Sequence, residues 1–171
     1  MSNKNGLEIE RKFLIRYPNF NVIHFQSKVD ISQSYLVRNS TDVERRIRSW
    51  SEGGSTKYFY TEKKFLTGLT RQEVERKVSK SEYDTLKLEV DGSIVTVEKS
   101  RYTIDCKGLT FEVDTYPFSK KLAIMEVELE SETQGYTIPE GIKVVKEVTG
   151  IYDYANIPLC ESQSFPEDAL Y

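Results

Sequence analysis

Apolar and polar residues alternate in short segments along most of the chain. The first segment covers about residues 7–15. Within it Glu8, Glu10 and Lys12 share one face of a strand and Ile9 lies on the other, because successive side chains of a β-strand point to opposite faces. The same period of two predicts further strands at 31–37, 43–50, 57–64, 71–77, 94–104, 109–115 and 122–130.

Other segments break the alternation and predict a turn and two helices. Residues 51–55 contain a Gly-Gly pair and predict a hairpin turn. A short helix is predicted over 22–29, after a break at Pro18. A second helix is predicted to start after Ser79 or Ser81, which can accept a hydrogen bond at a helix N-terminus, and to run to about residue 90.

Charged residues recur at positions i and i+2 of the predicted strands, usually with one sign on a face. These positions are Glu8/Glu10, Glu73/Glu75, Glu112/Asp114 and Glu126/Glu128, against Arg46/Arg48, Lys63 and Lys99/Arg101. Antiparallel strands of this number tend to close into a barrel or a strongly curled sheet. The charged faces can point outward around an apolar core, or inward around a wet interior whose apolar outer faces are covered by helices. Spacing alone leaves both arrangements open.

The inward arrangement would have a specific chemistry. Neighbouring carboxylates repel each other unless a cation lies between them, and oxygen ligands suit Mg²⁺ or Mn²⁺. Grouped arginines and lysines suit phosphate oxygens. A site that needs both groups at once is a site for a metal ion and a polyphosphate.

Composition removes several classes of function. The net charge of −3 argues against general nucleic-acid binding. One histidine, His24, and two cysteines, Cys106 and Cys160, supply neither a usual zinc site nor a Ser-His-Asp triad. There is no signal peptide or transmembrane run, so we expect a cytoplasmic protein that does not bind membranes. The length fits one domain over residues 1–171, and the oligomeric state stays open.

The charged motifs resemble those of a known family. Glu8-Ile9-Glu10-Arg11-Lys12 matches the ExExK signature of the CYTH domain, found in the triphosphate tunnel metalloenzymes. The other motifs of that family follow in order over nearly the whole chain. They are RxR at 46–48, TxK at 61–63, RxExE at 71–75, KxR at 99–101, ExD at 112–114, ExE at 126–128 and EVT…YxN at 147–156.

The resemblance implies an α+β, mainly β fold: an eight-stranded, closed antiparallel β-barrel around a charged tunnel, with helices outside. It also implies Mg²⁺ or Mn²⁺ as cofactor. The implied metal ligands are Glu8, Glu10, Asp114, Glu126 and Glu128. The implied phosphate-binding residues are Lys12, Arg46, Arg48, Lys63, Lys99 and Arg101. The implied catalytic residues are Lys12, Glu10 and Glu128. We expect Glu126 and Glu128 to face Glu8 and Glu10 across the tunnel.

A metal-dependent triphosphatase with tripolyphosphate as substrate is the function that the resemblance favours. The alternatives are a thiamine or nucleoside triphosphatase, a class IV adenylate cyclase, or a polyphosphate-binding module without catalysis. Two residues depart from the family pattern. Asp153 replaces a basic residue before the tyrosine of the last motif, and Lys64 replaces a glycine after Lys63. Both leave the choice of triphosphate open.

Overall fold

The computed structural model describes residues 7–67 and 70–167. Most of them lie in β-strands, and the helices are short. The strands are β1 (Leu7–Arg16), β2 (Ser27–Tyr35), β3 (Val43–Glu52), β4 (Ser55–Phe65), β5 (Thr70–Val78), β6 (Val97–Cys106), β7 (Leu109–Thr115), β8 (Leu122–Leu129) and β9 (Val144–Glu147). The α-helices are α1 (Lys80–Leu86) and α2 (Asn156–Ser162).

Eight of the strands close into a barrel. Neighbours pair in the order β5-β4-β3-β2-β6-β7-β8-β1, and β1 returns to β5 through the first residues of the strand. All of these pairs are antiparallel. The predicted eight-stranded closed barrel is confirmed. The structure adds β9, which the sequence did not predict and which pairs with β1 at Phe13–Ile15.

The hairpin between β3 and β4 forms where the sequence predicts it. Gly53 has φ +56° and Gly54 has φ +80°. A two-residue turn with positive φ at both positions follows the twist of the strands that it joins, and glycine adopts that backbone without steric cost. This turn fixes the register in which Arg46 lies opposite Thr61 and Glu44 opposite Lys63.

Helix α1 covers one outer face of the barrel. The hydroxyl of Ser79 accepts a hydrogen bond from the Glu82 amide at 3.1 Å, which confirms the predicted start of the helix. Tyr83 packs with the outward-facing Ile47 and Val78 in a buried cluster. The predicted end near residue 90 is reached by a 3₁₀ turn after the α-helix.

Loops cover the opposite outer face. The prediction of a helix over 22–29 is wrong. Ile9 and Phe13 pack with Ile23 and Tyr136, which lie outside the helices and strands. The chain turns at Asn19, whose carbonyl accepts from the amide of Ile23 at 3.0 Å. It then enters β2, where pairing with β6 supplies the backbone hydrogen bonds that a helix would have made internally.

One end of the barrel interior is apolar and is packed against α2. The inward row of β1 changes from charged residues to Leu14, and that of β8 changes to Ile124. Both side chains belong to one buried cluster with Leu159 and Cys160 of α2. The charged part of the interior therefore has an apolar wall at one end. No helix among the described residues is long and apolar enough to cross a membrane.

Candidate active site inside the barrel

The barrel encloses a cavity of about 1530 Å³ whose lining is mostly charged. The predicted site residues that line it are Glu8, Glu10, Lys12, Arg46, Arg48, Lys63, Lys99, Arg101, Glu126 and Glu128. The charged faces of the strands therefore point inward, which settles the choice that spacing alone left open. Asp114 does not line the cavity and lies behind Lys99 and Arg101.

The carboxylates of β1 and β8 are neighbours on one wall. In Cα register Glu10 lies opposite Glu128, and Lys12 lies opposite Glu126. Directly opposed residues of antiparallel strands have Cβ atoms roughly 5 Å apart. The expectation that the two pairs of glutamates face each other across the tunnel is wrong, because β1 and β8 are adjacent strands of the closed barrel.

Each carboxylate of this wall is held differently. Glu8 accepts from Lys63 Nζ at 2.8 Å, and Glu10 accepts from Arg71 at 2.8 Å. Burial, and after it the charge of Glu126, raises the pKa of Glu10. Burial also raises the pKa of Glu128. A raised carboxyl pKa indicates that the site supplies too little positive charge for the ionised form.

Glu126 differs from these carboxyls because cations surround it. Burial disfavours its ionised form, but Lys12 and Arg101 outweigh burial and hold the pKa of Glu126 well below its usual value. Lys12 Nζ lies 2.8 Å from Glu126. Burial works against the Lys12 ammonium too, and Glu126 and Glu10 outweigh it, so the pKa of Lys12 is raised. Lys12 is therefore a cation at neutral pH.

The donor set fits an oxygen-seeking divalent ion in its chemistry, although the carboxylates are not gathered around one point. In residues 7–67 and 70–167, no three His, Cys, Asp or Glu side chains converge in a group that could hold a metal ion. Glu8 and Glu10 are engaged by Lys63 and Arg71 instead. Each of these cations engages one carboxylate oxygen, so an ion at this wall would share the two carboxylates with Lys63 and Arg71 or displace them.

Strand β3 supplies two buried arginines. Arg46 is 8% exposed and Arg48 is 6% exposed. Arg48 forms an ion pair with Glu75, which also accepts from the Thr61 hydroxyl at 3.0 Å. Arg46 lies 3.7 Å from Glu73. The Nε atoms of both arginines are buried, with no hydrogen-bond partner in the described part of the chain.

Asp114 forms a buried triad with Lys99 and Arg101. It is 2% exposed, and its two oxygens accept from Lys99 Nζ at 2.6 Å and from Arg101 Nε at 2.7 Å. Burial lowers the pKa of Lys99 to about 8 in spite of this carboxylate. Arg101 also lies 3.4 Å from Glu126. Asp114 is thus the internal counter-ion that positions both cations at the cavity surface.

The cavity contains further residues that the sequence reasoning did not assign. Gln33, Trp50, Glu112 and Asn156 all line it. Trp50 lies two residues after Arg48, so the alternation of β3 was sufficient to place it inside. Asn156 begins α2, and its side-chain oxygen lies 3.4 Å from Lys99 Nζ, within hydrogen-bonding distance.

The chain is similar in sequence to a named triphosphatase over nearly its whole length. A protein named inorganic triphosphatase from Acetivibrio thermocellus is 30% identical over 158 residues, which cover 92% of this chain and 95% of that protein. The chain belongs to the CYTH family of triphosphate tunnel metalloenzymes. No general protein-family model matches it.

Solved structures of similar proteins agree with this assignment. The crystal structure of the inorganic triphosphatase NE1496 is similar to this CYTH protein with a TM-score of 0.54 and 30% identity, over 93% of this chain and 96% of that one. The structure of protein PH1819 from Pyrococcus horikoshii OT3 has a TM-score of 0.55 and 23% identity, over 73% and 80% of the two chains. The second similarity shows the fold alone.

One of the two departures from the CYTH pattern lies beside the cavity. Tyr152 lines the cavity and is exposed, and Asp153 follows it within the same 3₁₀ turn. Lys64 points outward and lies 3.6 Å from Asp42, away from the cavity lining. Of the two substitutions, the one at 153 is therefore the closer to the path into the barrel.

Proposed function

We propose that this CYTH protein hydrolyses inorganic tripolyphosphate inside its barrel with the help of a divalent metal ion. The observation that carries the proposal is the set of cations that line one cavity, Lys12, Arg46, Arg48, Lys63, Lys99 and Arg101. A chain of phosphates brings many anionic oxygens to such a surface, and membership of the family supports this ligand.

The phosphate chain would be held by cations from four strands. The proposed contacts are Lys12, Arg46, Arg48, Lys63, Lys99 and Arg101. The two arginines of β3 provide paired, directional donors, whereas the lysines act as point charges. Because these groups sit in a buried cavity, their attraction for phosphate oxygens is screened less than it would be at the surface.

Glu8, Glu10 and Glu128 are the proposed holders of the metal ion, and Glu126 lies next to them. Such an ion, when bound, supplies charge neutralisation on phosphate oxygens and lowers the pKa of a coordinated water. We leave Asp114 out of the ligand set that the resemblance implies, because Lys99 and Arg101 occupy both of its oxygens. Mg²⁺ and Mn²⁺ both match the oxygen donors.

Lys12 is proposed to bind the phosphate at the metal end of the cavity. Its raised pKa makes it a cation. It therefore suits stabilising the negative charge that develops on a leaving phosphate, or donating a proton to it, better than removing a proton from water. Glu10 and Glu128, the two other proposed catalytic residues, act by holding the ion on the adjacent wall.

A panel of substrates and metals tests the function. Phosphate release from tripolyphosphate is measured with Mg²⁺, with Mn²⁺ and with a chelator, beside ATP and thiamine triphosphate at equal concentration. We expect release from tripolyphosphate to be fastest and to stop with the chelator. Binding by calorimetry without release under any condition would contradict catalysis and identify a binding module. Cyclic AMP from ATP would identify a cyclase.

The affinity for tripolyphosphate is expected to fall as the pH rises through about 8, because the pKa of Lys99 is lowered to about 8. Below that pH the ammonium is charged and attracts phosphate, and above it the charge is lost. KM measured from about pH 7 to pH 9 should rise by up to about tenfold per pH unit above the pKa. Lys99→Arg, which stays charged, should remove the rise. An equal rise in Lys99→Arg would assign it to another group.

A further inference from the structure

Arg71 is a cation of the cavity wall that is not among the proposed phosphate contacts. It is the second residue of β5 and lies in register opposite Glu8 of β1, where the barrel closes. Its side chain lines the cavity and is 15% exposed, against 9% for the side chain of Arg46 and 7% for that of Arg48. Arg71 is therefore more open to the cavity than either arginine of β3.

The guanidinium group of Arg71 uses only part of its capacity to donate. Nη1 donates to Glu10 Oε1 at 2.8 Å, and no other acceptor among the described residues contacts this side chain. Its Nε and Nη2 atoms are not among the buried side-chain atoms that lack a partner. Because a guanidinium presents several N–H donors and these two nitrogens are neither paired nor buried, they are open to a ligand in the cavity.

Two neighbours fix the direction of the remaining donors. Glu10 holds one end of the guanidinium. The ring of Phe65, which lies opposite Arg71 in the β4–β5 register and also lines the cavity, has its centroid 5.7 Å from the guanidinium carbon. This distance is within the range of a cation–π contact. A planar group held at one nitrogen and against a ring presents its other donors in a defined orientation.

Glu10 has a second oxygen that the described residues leave without a hydrogen bond or an ion pair, because Arg71 engages Oε1 alone. A divalent ion on Oε2 would lie close to the positive charge of Arg71. Two cations at this separation repel each other unless an anion lies between them. A phosphate oxygen is such an anion, since it can accept from a guanidinium while it coordinates a metal ion.

We propose that Arg71 bridges the carboxylate wall and the substrate: it holds Glu10 through Nη1 and donates from its other nitrogens to the phosphate that the metal ion on Glu10 coordinates. The inference rests on the proposed function and adds a binding residue at the metal-bound phosphate. It also makes Arg71 act in two directions. Its charge favours phosphate, and the same charge disfavours the metal ion as long as phosphate is absent.

Arg71→Gln tests both effects in one protein. Binding of Mn²⁺ without phosphate is measured from the loss of the electron paramagnetic resonance signal of free Mn²⁺. KM for tripolyphosphate is measured at saturating Mn²⁺. We expect KM to rise about tenfold, as for the loss of a hydrogen bond between charged groups. The dissociation constant of Mn²⁺ should fall by roughly threefold to tenfold, because a positive charge beside its ligand is removed.

Two further variants provide the controls. Arg76 lies on the same strand, is half-exposed and pairs with Glu82 at 2.6 Å outside the barrel, so Arg76→Gln should change neither constant. Arg71→Lys keeps the charge but not the planar fork of donors. We expect its affinity for Mn²⁺ to stay within about twofold of the wild type and its KM to rise less than that of Arg71→Gln.

The outcomes separate this inference from the proposed function. An unchanged KM in Arg71→Gln overturns the phosphate contact, and an unchanged affinity for Mn²⁺ overturns the link to the metal ligand, while activity of the wild type leaves the proposed function intact. Weaker binding of both ligands in Arg71→Gln and in Arg71→Lys would identify a structural role and also overturn the bridge. A wild type that releases no phosphate contradicts the proposed function, and the bridge falls with it.

Discussion

Replacing Glu10 by glutamine is expected to lower kcat/KM for tripolyphosphate by about a hundredfold or more, the size of loss that follows removal of one electrostatic group from an active site. Glutamine has almost the same shape and can still accept from Arg71. It lacks the negative charge that the proposed site directs at a divalent ion. Rates of phosphate release are measured over a series of Mg²⁺ and Mn²⁺ concentrations. Partial recovery at high metal concentration would mark Glu10 as a metal ligand.

A carboxylate on the outer face of the barrel provides the control. Glu62 follows Thr61 on β4, is exposed, and accepts from the Tyr60 hydroxyl at 2.5 Å. Glu62→Gln removes the same charge from the same barrel and is expected to leave kcat/KM unchanged. If Glu10→Gln keeps activity within a few-fold of the wild type, the carboxylate wall of β1 is not the metal site.

Asp114→Asn is expected to destabilise the fold by about 3–5 kcal/mol, the typical cost of removing one partner from a buried ion pair. Burial opposes the ionisation of Asp114, but Arg101 and Lys99 outweigh it and lower the pKa of its carboxyl. An asparagine leaves these two buried cations without a full counter-charge. Urea unfolding measures the loss, and tripolyphosphate should restore part of it because its oxygens supply negative charge to the same two side chains.

An exposed aspartate on the neighbouring strand serves as comparison. Asp105 of β6 accepts from the Thr110 hydroxyl at 2.7 Å, and Asp105→Asn should change the free energy of unfolding by less than about 0.5 kcal/mol. One outcome for Asp114→Asn would contradict its assignment as a counter-ion. Unchanged stability together with a weakened affinity for metal would return Asp114 to the ligand set that the resemblance implies.

The strands and their inward faces could be predicted because both follow from a local pattern. Charged residues at i and i+2 indicate which residues share a face of a strand, wherever that strand lies in the fold. The Gly53-Gly54 pair predicts a hairpin turn. The closure of the sheet into a barrel was predicted from the family motifs and not from the local pattern. The residues named from those motifs came together around one cavity except for Asp114.

The remaining features depend on contacts between distant parts of the chain. Glu10 and Glu128 are wall neighbours only because the first strand pairs with the eighth. Residues 22–29 have no local signal for the sheet edge that receives them, and β9 and α2 come from a segment with weak periodicity. Trp50, in contrast, was predictable in position, because it continues the inward row of Arg46 and Arg48 on β3.

The ion pairs inside the barrel also affect how products leave it. Lys63 and Arg71 are held by Glu8 and Glu10, and Lys12 is held by Glu126, before any phosphate arrives. After hydrolysis, the shorter phosphates carry less charge and make fewer contacts than the triphosphate did. Glu8, Glu10 and Glu126 can then form their ion pairs with Lys63, Arg71 and Lys12 again. These glutamates therefore compete with the product phosphates for the same cations.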